Sequence, residues 1–147
     1  MNMKTINTIR NSRAFTLIEM LVVILILSIL AALIIPNLIN KAAEAKVAAA
    51  KTDISSLSDA LQRYHLDNDA YPTTEQGLQA LVNAPSNAPN WKGPYLTKQV
   101  PNDPWGNPYQ YQSPGPSNED YYIESYGPSG TTGGTGNNAP ITSDDTN

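Results

Sequence analysis

Glu19 sits in the setting most able to do chemistry, because it is the only charged side chain in an apolar run over residues 15–35. A carboxylate five residues into a membrane-spanning helix costs a few kcal/mol to insert and so marks a functional site by default, its natural task being to pair with a cation. The competing reading is a group close enough to the interface to stay hydrated. Other chemistry-bearing residues form no constellation. There is one histidine, His65, and no cysteine, which excludes zinc fingers, iron–sulfur clusters and thiol catalysis. The serines have no suitable histidine partner, so a hydrolytic triad has no support. His65 reads as a surface or packing residue, and Trp91 and Trp105 as core or turn anchors. Tyr121 and Tyr122 form either an exposed aromatic patch or part of a packed sheet.

The element that must position Glu19 is a helix. The 21 residues of the apolar run would span roughly 31 Å at 1.5 Å per residue, about the hydrocarbon thickness of a bilayer. Lys4, Arg10 and Arg13 precede it without any acid, and six basic against thirteen acidic residues follow from residue 15 onward. Retention of positive charge on the cytoplasmic side places residues 1–13 inside and everything after Pro36 outside. A secretory signal peptide would have a similar basic head. The run is long for that purpose and ends in Leu33-Ile34-Ile35-Pro36 with no small-x-small cleavage pattern. With a net charge of −4 and no basic face, nucleic-acid binding is not expected.

Helical patterning continues past the membrane. Ala43, Val47, Ala50, Ile54, Leu57, Leu61 and Tyr64 recur at steps of four and three, with Lys46, Lys51, Asp53, Asp59 and Arg63 off the seam. One helix is expected over about residues 15–66, greasy all round in its first half and amphipathic in its second, with Pro36 kinking or loosening it between them. A coiled coil would use such a seam, but its alanines suit a close-lying sheet from distant sequence. Thr73 and Gln76 have capping-box spacing before Leu78, Leu81 and Val82, which predicts a short second helix. Beyond Pro85, short strands are expected over residues 94–97, 109–112 and 121–126, with Asp103-Pro104-Trp105-Gly106-Asn107-Pro108 as a turn. The tail over residues 127–147 reads as loop. The fold class is α+β: a long amino-terminal helix, transmembrane and then amphipathic, packed against a small antiparallel sheet.

Arg13-Ala14-Phe15-Thr16-Leu17-Ile18-Glu19 resembles the processing site of type IV pilin-like precursors. The resemblance implies that a prepilin peptidase cuts between Ala14 and Phe15 and N-methylates Phe15, although glycine is usual where Ala14 stands. The new amine would then pair with Glu19 of a neighbouring subunit, relieving two awkward charges and setting the register of assembly. Met3 is an alternative start. Two later segments narrow the family. Asp67-Asn68-Asp69-Ala70-Tyr71-Pro72-Thr73-Thr74-Glu75-Gln76-Gly77-Leu78 and Asp103-Pro104-Trp105-Gly106-Asn107-Pro108-Tyr109-Gln110-Tyr111 resemble the major pseudopilins of type II secretion systems.

That resemblance implies a carboxy-terminal loop that binds calcium through aspartates and backbone carbonyls. Here the loop departs from the pattern at the positions of Tyr126, Ser129 and Pro140, and Ser129 and Pro140 stand where aspartates are usual. Calcium affinity depends on the number of charged oxygen ligands, so a tight site is not expected. Asp144 and Asp145 offer a substitute pair, or simply a solvated tail.

The resemblance implies a structural subunit that catalyses nothing. It would consist of a removed leader (residues 1–14), a membrane half (15–35) and a periplasmic half (36–66) of the long helix, and a periplasmic region (67–147). The chain would be a single-pass protein of the bacterial inner membrane with its amino terminus cytoplasmic. It would polymerise with itself into a periplasmic pseudopilus that supports export of folded proteins. Minor pseudopilins, the prepilin peptidase and an inner-membrane assembly platform with its ATPase would be its partners. The alternatives are a type IV pilus subunit, which commonly has a carboxy-terminal disulfide that a cysteine-free chain cannot form, and a signal-anchored periplasmic enzyme or binding protein. The latter would leave residues 15–19 unexplained.

Overall fold

A computed structural model describes the chain over residues 15–146, with the side chains of residues 33–39, 137 and 146 outside the description. Helix α1 covers Leu17–Asn68, 52 residues, and the chain divides within it into two compact units, Met1–Asn40 and Lys41–Asn147.

In the first unit, α1 opens on a reciprocal cap. Glu19 N–H donates to Thr16 Oγ1 over 3.2 Å, and Thr16 N–H donates to Glu19 Oε2 over 3.4 Å, which satisfies two of the amide groups that a helix start leaves without partners. Ser28, the one hydroxyl in the greasy stretch that follows, donates back to Ile24 O over 2.8 Å, so it adds no unpaired polar group to an apolar surface. Among the described residues no helix is long and apolar enough to cross a membrane. The apolar run of the sequence continues into residues 33–39, whose side chains lie outside the description. The helix continues through Pro36, where the sequence predicts a kink or loosening; the leader and Ala14 lie outside the described residues.

In the second unit the seam predicted from the sequence is the core. Ala50, Ile54, Leu57, Ala60, Leu61 and Tyr64 of α1 are all buried, together with Leu78, Ala80 and Leu81, and with Tyr109, Ile123 and Ile141. Val47 packs at the margin, while Ala43, the first residue of the expected seam, is exposed. Each fully buried leucine or isoleucine contributes about 1.5–3 kcal/mol relative to leaving it in water. The helix ends two residues later than expected, at Asn68, followed by Asp69 in the left-handed region at φ 54°. The Thr73–Gln76 capping box forms as its spacing predicts, with Thr73 N–H donating to Gln76 Oε1 over 2.8 Å and Gln76 N–H to Thr73 Oγ1 over 3.3 Å. The element beyond it is a single 3₁₀ turn, Leu78–Leu81.

The sheet has three antiparallel strands in the order β1 (Gln110–Gln112), β2 (Tyr122–Ser125), β3 (Ile141–Thr142). Tyr111 lies opposite Ile123, and Ser125 opposite Ile141. Ile123 and Ser125 point inward while Tyr122 and Glu124 lie on the half-buried face, the period-two alternation of a one-sided sheet.

Two expectations are corrected. Residues 94–97 form no strand: Pro94 is in no regular element and residues 95–99 form a bend. Their polar groups are taken elsewhere: Tyr95 N–H donates to Leu81 O over 2.7 Å and Arg63 donates to Tyr95 O over 3.1 Å, while Pro94 has no N–H to give a ladder. The tail is not all loop either. Ile141 is buried and β3 completes the sheet; a two-residue strand in a polar tail leaves no periodicity to read, and only its pairing with β2 makes it one.

Candidate functional site

The described residues contain no catalytic constellation. No group of three or more histidine, cysteine, aspartate or glutamate side chains among them is placed to hold a metal ion. What the molecule does present is an uncovered apolar surface. Among the described residues, the exposed large apolar side chains all belong to residues 15–30 except Leu66 at 79%, running from Phe15 at 71% and Leu17 at 92% exposure to Leu30 at 49%. A helix that is apolar on every side is a membrane span or the core of a larger body. Glu19 stands at the head of this surface, beside a groove lined by Thr16, Ile18, Val22 and Val23. The cap holds its carboxylate at the amino-terminal end of α1, where the unpaired amides favour a negative charge, three residues after Thr16 and four after Phe15. The Thr16–Glu19 spacing is the same capping-box signature that marks Thr73 and Gln76, so this role of Thr16 was available to sequence reasoning, which used it only at the second site.

The second region is the carboxy-terminal loop. It is pinned by Asp103, which is buried in the turn between Asn102 and Pro108. Asp103 Oδ1 accepts from Trp105 N–H over 3.0 Å and from Asn107 N–H over 2.8 Å, which closes the turn, and Gly106 supplies the positive φ of 95° that it requires. Asp103 Oδ2 accepts from the Ser125 hydroxyl over 2.6 Å, and that hydroxyl accepts from Gly127 N–H over 3.1 Å. Neither Asp103 nor Ser125 stands out in sequence as more than a turn residue and a strand residue. Their meeting is a product of the topology.

Of the positions where the loop departs from an acidic pattern, Tyr126 and Pro140 are half-buried and Ser129 is exposed. The Ser129 hydroxyl lies 2.9 Å from Tyr126 O and 3.1 Å from Thr131 O. Asp144 and Asp145 are exposed, and Asp145 turns back on its own strand, accepting from Thr142 N–H over 3.0 Å and from the Thr142 hydroxyl over 3.1 Å.

A polar and aromatic cluster closes the far end of the second unit. Asp67 accepts from Lys92 Nζ over 3.1 Å and from the Tyr95 hydroxyl over 3.0 Å, and these two bonds hold its carboxyl below the usual range. The Tyr95 ring packs edge-on against Tyr64 and Trp91. His65 stacks on Tyr71 at 4.5 Å, and Tyr71 in turn packs on Tyr121, so His65 and Tyr121 take the packing role of the two offered by the sequence. On the sheet side, burial and the Asp53 carboxylate push the Tyr109 phenol above its ordinary value; its hydroxyl donates to Asp53 Oδ2 over 3.0 Å.

The family model described as type II secretion system (T2SS), protein G matches residues 37–144, and that of the prokaryotic N-terminal methylation motif matches residues 9–35. The chain is 47% identical over 135 residues to the type II secretion system core protein G of Pseudomonas aeruginosa, covering 90% of this chain and 94% of that protein. It is 45% identical over 134 residues to the protein of the same description from Vibrio cholerae, covering 90% and 91%. Among solved structures it is similar to the major pseudopilin from the type 2 secretion system of enterohaemorrhagic Escherichia coli. That likeness has a TM-score of 0.62 at 38% identity and covers 74% of this chain and 94% of that one.

Proposed function

The chain belongs to the type II secretion system protein G family, the major pseudopilins, and on that premise we propose how it is processed, anchored and assembled. It is a structural subunit of the periplasmic pseudopilus, whose polymerisation supports export of folded proteins across the outer membrane. A prepilin peptidase removes residues 1–14 by cutting between Ala14 and Phe15, then methylates the new amine. Residues 15–35 cross the inner membrane once with the amino terminus cytoplasmic, and the second unit stands in the periplasm. Copies of the same chain, minor pseudopilins and an inner-membrane assembly platform with its ATPase are the partners. The work is mechanical, and the subunit catalyses nothing.

The observation that carries this reading is the apolar surface of residues 15–30 with Glu19 capping its start. In lipid, an isolated subunit holds a carboxylate and a cationic amine that are both costly there. Joining a filament gives the amine of Phe15 a partner in a neighbour's Glu19, and breaking such a pair by removing one member is far more damaging than never having it. The test is the polymer recovered from cells: wild type and Glu19→Gln expressed at equal levels, with filaments sheared and pelleted. Wild type pellets as polymer, whereas Glu19→Gln remains in the membrane as subunits. Equal polymer from both would remove the proposed role of Glu19.

A further inference from the structure

The fold family implies a calcium ion in the carboxy-terminal loop, and the side chains present do not fit one. Calcium takes six to eight oxygen ligands, several of them carboxylate. Of the acids near this loop, Asp103 receives three donors and Asp145 receives both donors of Thr142, which leaves Asp144, exposed beside Asp145, as a single further carboxylate. No third acid, histidine or cysteine joins either of them among the described residues.

We propose that this loop is closed by hydroxyl groups and needs no metal ion. Ser129 is its centre. Its hydroxyl lies within hydrogen-bond distance of the carbonyls of Tyr126 and Thr131, at 2.9 and 3.1 Å, and Thr131 N–H donates back to it over 3.5 Å. The hydroxyl thus sits between the two ends of the turn, its one proton serving either carbonyl and its oxygen accepting from the Thr131 amide. The crossing above it is backbone on backbone. A Cβ on Gly134 would collide with the Asn138 carbonyl and lie 3.4 Å from Ser129 Oγ, so the chain closes over the hydroxyl only because residue 134 has no side chain. At the two flanks, the Ser125 hydroxyl ties Asp103 to Gly127, and the Thr142 hydroxyl ties β3 to Asp145. The Ser143 hydroxyl accepts from Ile123 N–H over 3.2 Å. Four hydroxyls along the loop and its flanks supply the cross-links for which a cation would otherwise be needed.

The test is thermal unfolding of the purified full-length chain in detergent, in excess chelator and in millimolar calcium. A ligand that binds only the folded state raises the melting temperature in proportion to ln(1 + [L]/Kd). The melting temperature is expected to be the same in both conditions. Ser129→Ala is expected to melt a few degrees lower, whether calcium is present or not, and Ser129→Thr, which keeps the hydroxyl, to stay nearer wild type. A rise of several degrees with calcium in the wild type would overturn metal independence. A Ser129→Ala protein as stable as wild type would overturn the role of the hydroxyl. Should Ser129→Ala not fold at all, a folded Ser129→Thr would support the proposal, and loss of both variants would contradict it.

Discussion

The Ser125 hydroxyl reaches Asp103 Oδ2 over 2.6 Å at a position where both residues are buried. Asp103 thereby links two segments 22 residues apart, holding its own turn with one oxygen and the start of the carboxy-terminal loop with the other. Removing the carboxylate leaves two amides and a hydroxyl without their acceptor, and hydrogen bonds to a charged group are each worth about 1.5–3 kcal/mol. Asp103→Ala should therefore cost about 3 kcal/mol or more in urea denaturation. Ser125→Ala should cost about 1–3 kcal/mol, because it strands one carboxylate oxygen and one amide.

The core seam makes a contrast between two leucines seven and two residues before Asn68. Leu61 is fully buried and Leu66 is 79% exposed. Leu61→Ala should lose about 2–5 kcal/mol through lost transfer energy and an incompletely collapsed cavity. Leu66→Ala should stay within about 0.5 kcal/mol of wild type. Equal effects in denaturant titration would contradict the assignment of the inward face.

Acid sensitivity follows from Asp67, whose carboxyl is lowered first by the hydrogen bond from Lys92 and then by that from Tyr95. The folded state favours the ionised form. Its contribution is complete above the unfolded value of about 3.9 and disappears as pH falls through the lower folded value. The melting temperature of the wild type should drop on acidification below about pH 4, and Asp67→Asn should show a shallower drop. Glu124, raised by burial, works in the opposite direction, so the difference between the two curves isolates Asp67.

Tyr109 contributes to the alkaline limb, alongside Tyr111, Tyr64, Tyr71 and Tyr122, whose phenols burial also raises. Burial first, and then the hydrogen bond to Asp53, favour the neutral phenol of Tyr109, which is the form that donates. Its contribution is complete below about pH 10 and is lost above it. Tyr109→Phe should be less stable at neutral pH and should lose less stability between neutral pH and the alkaline limb than wild type does.

The cap and the charge at the head of α1 are separable. Thr16→Ala removes the acceptor for Glu19 N–H, at about 1 kcal/mol for a capping residue, while leaving the Glu19 carboxylate free to pair. It should reduce pelletable polymer only modestly. Glu19→Gln should abolish it, and loss of polymer in both variants would mean that helix capping rather than charge is what matters.

Much of this was legible in the sequence wherever one physical pattern decides the outcome. Steps of three and four from Val47 to Tyr64 mark a buried helical face whatever packs on it, and the seam indeed lines the core, except for Ala43. The Asp103–Pro108 turn and the Thr73–Gln76 box are local chemistry and formed as local chemistry. Residues 94–97 and the tail failed for the same reason as each other. Whether Tyr95 N–H joins a ladder or the Leu81 carbonyl, and whether Ile141 pairs with Ser125, depends on what the fold brings alongside. The Asp103–Ser125 contact is of that kind as well.

The central claim is that this chain is matured at Phe15 and built into a filament through residues 15–35. The most direct measurement is the intact mass and amino-terminal sequence of the chain recovered from its native membranes. A chain beginning at N-methylated Phe15 is the expected result. A chain that keeps Met1, or one cut after the apolar run, would contradict it.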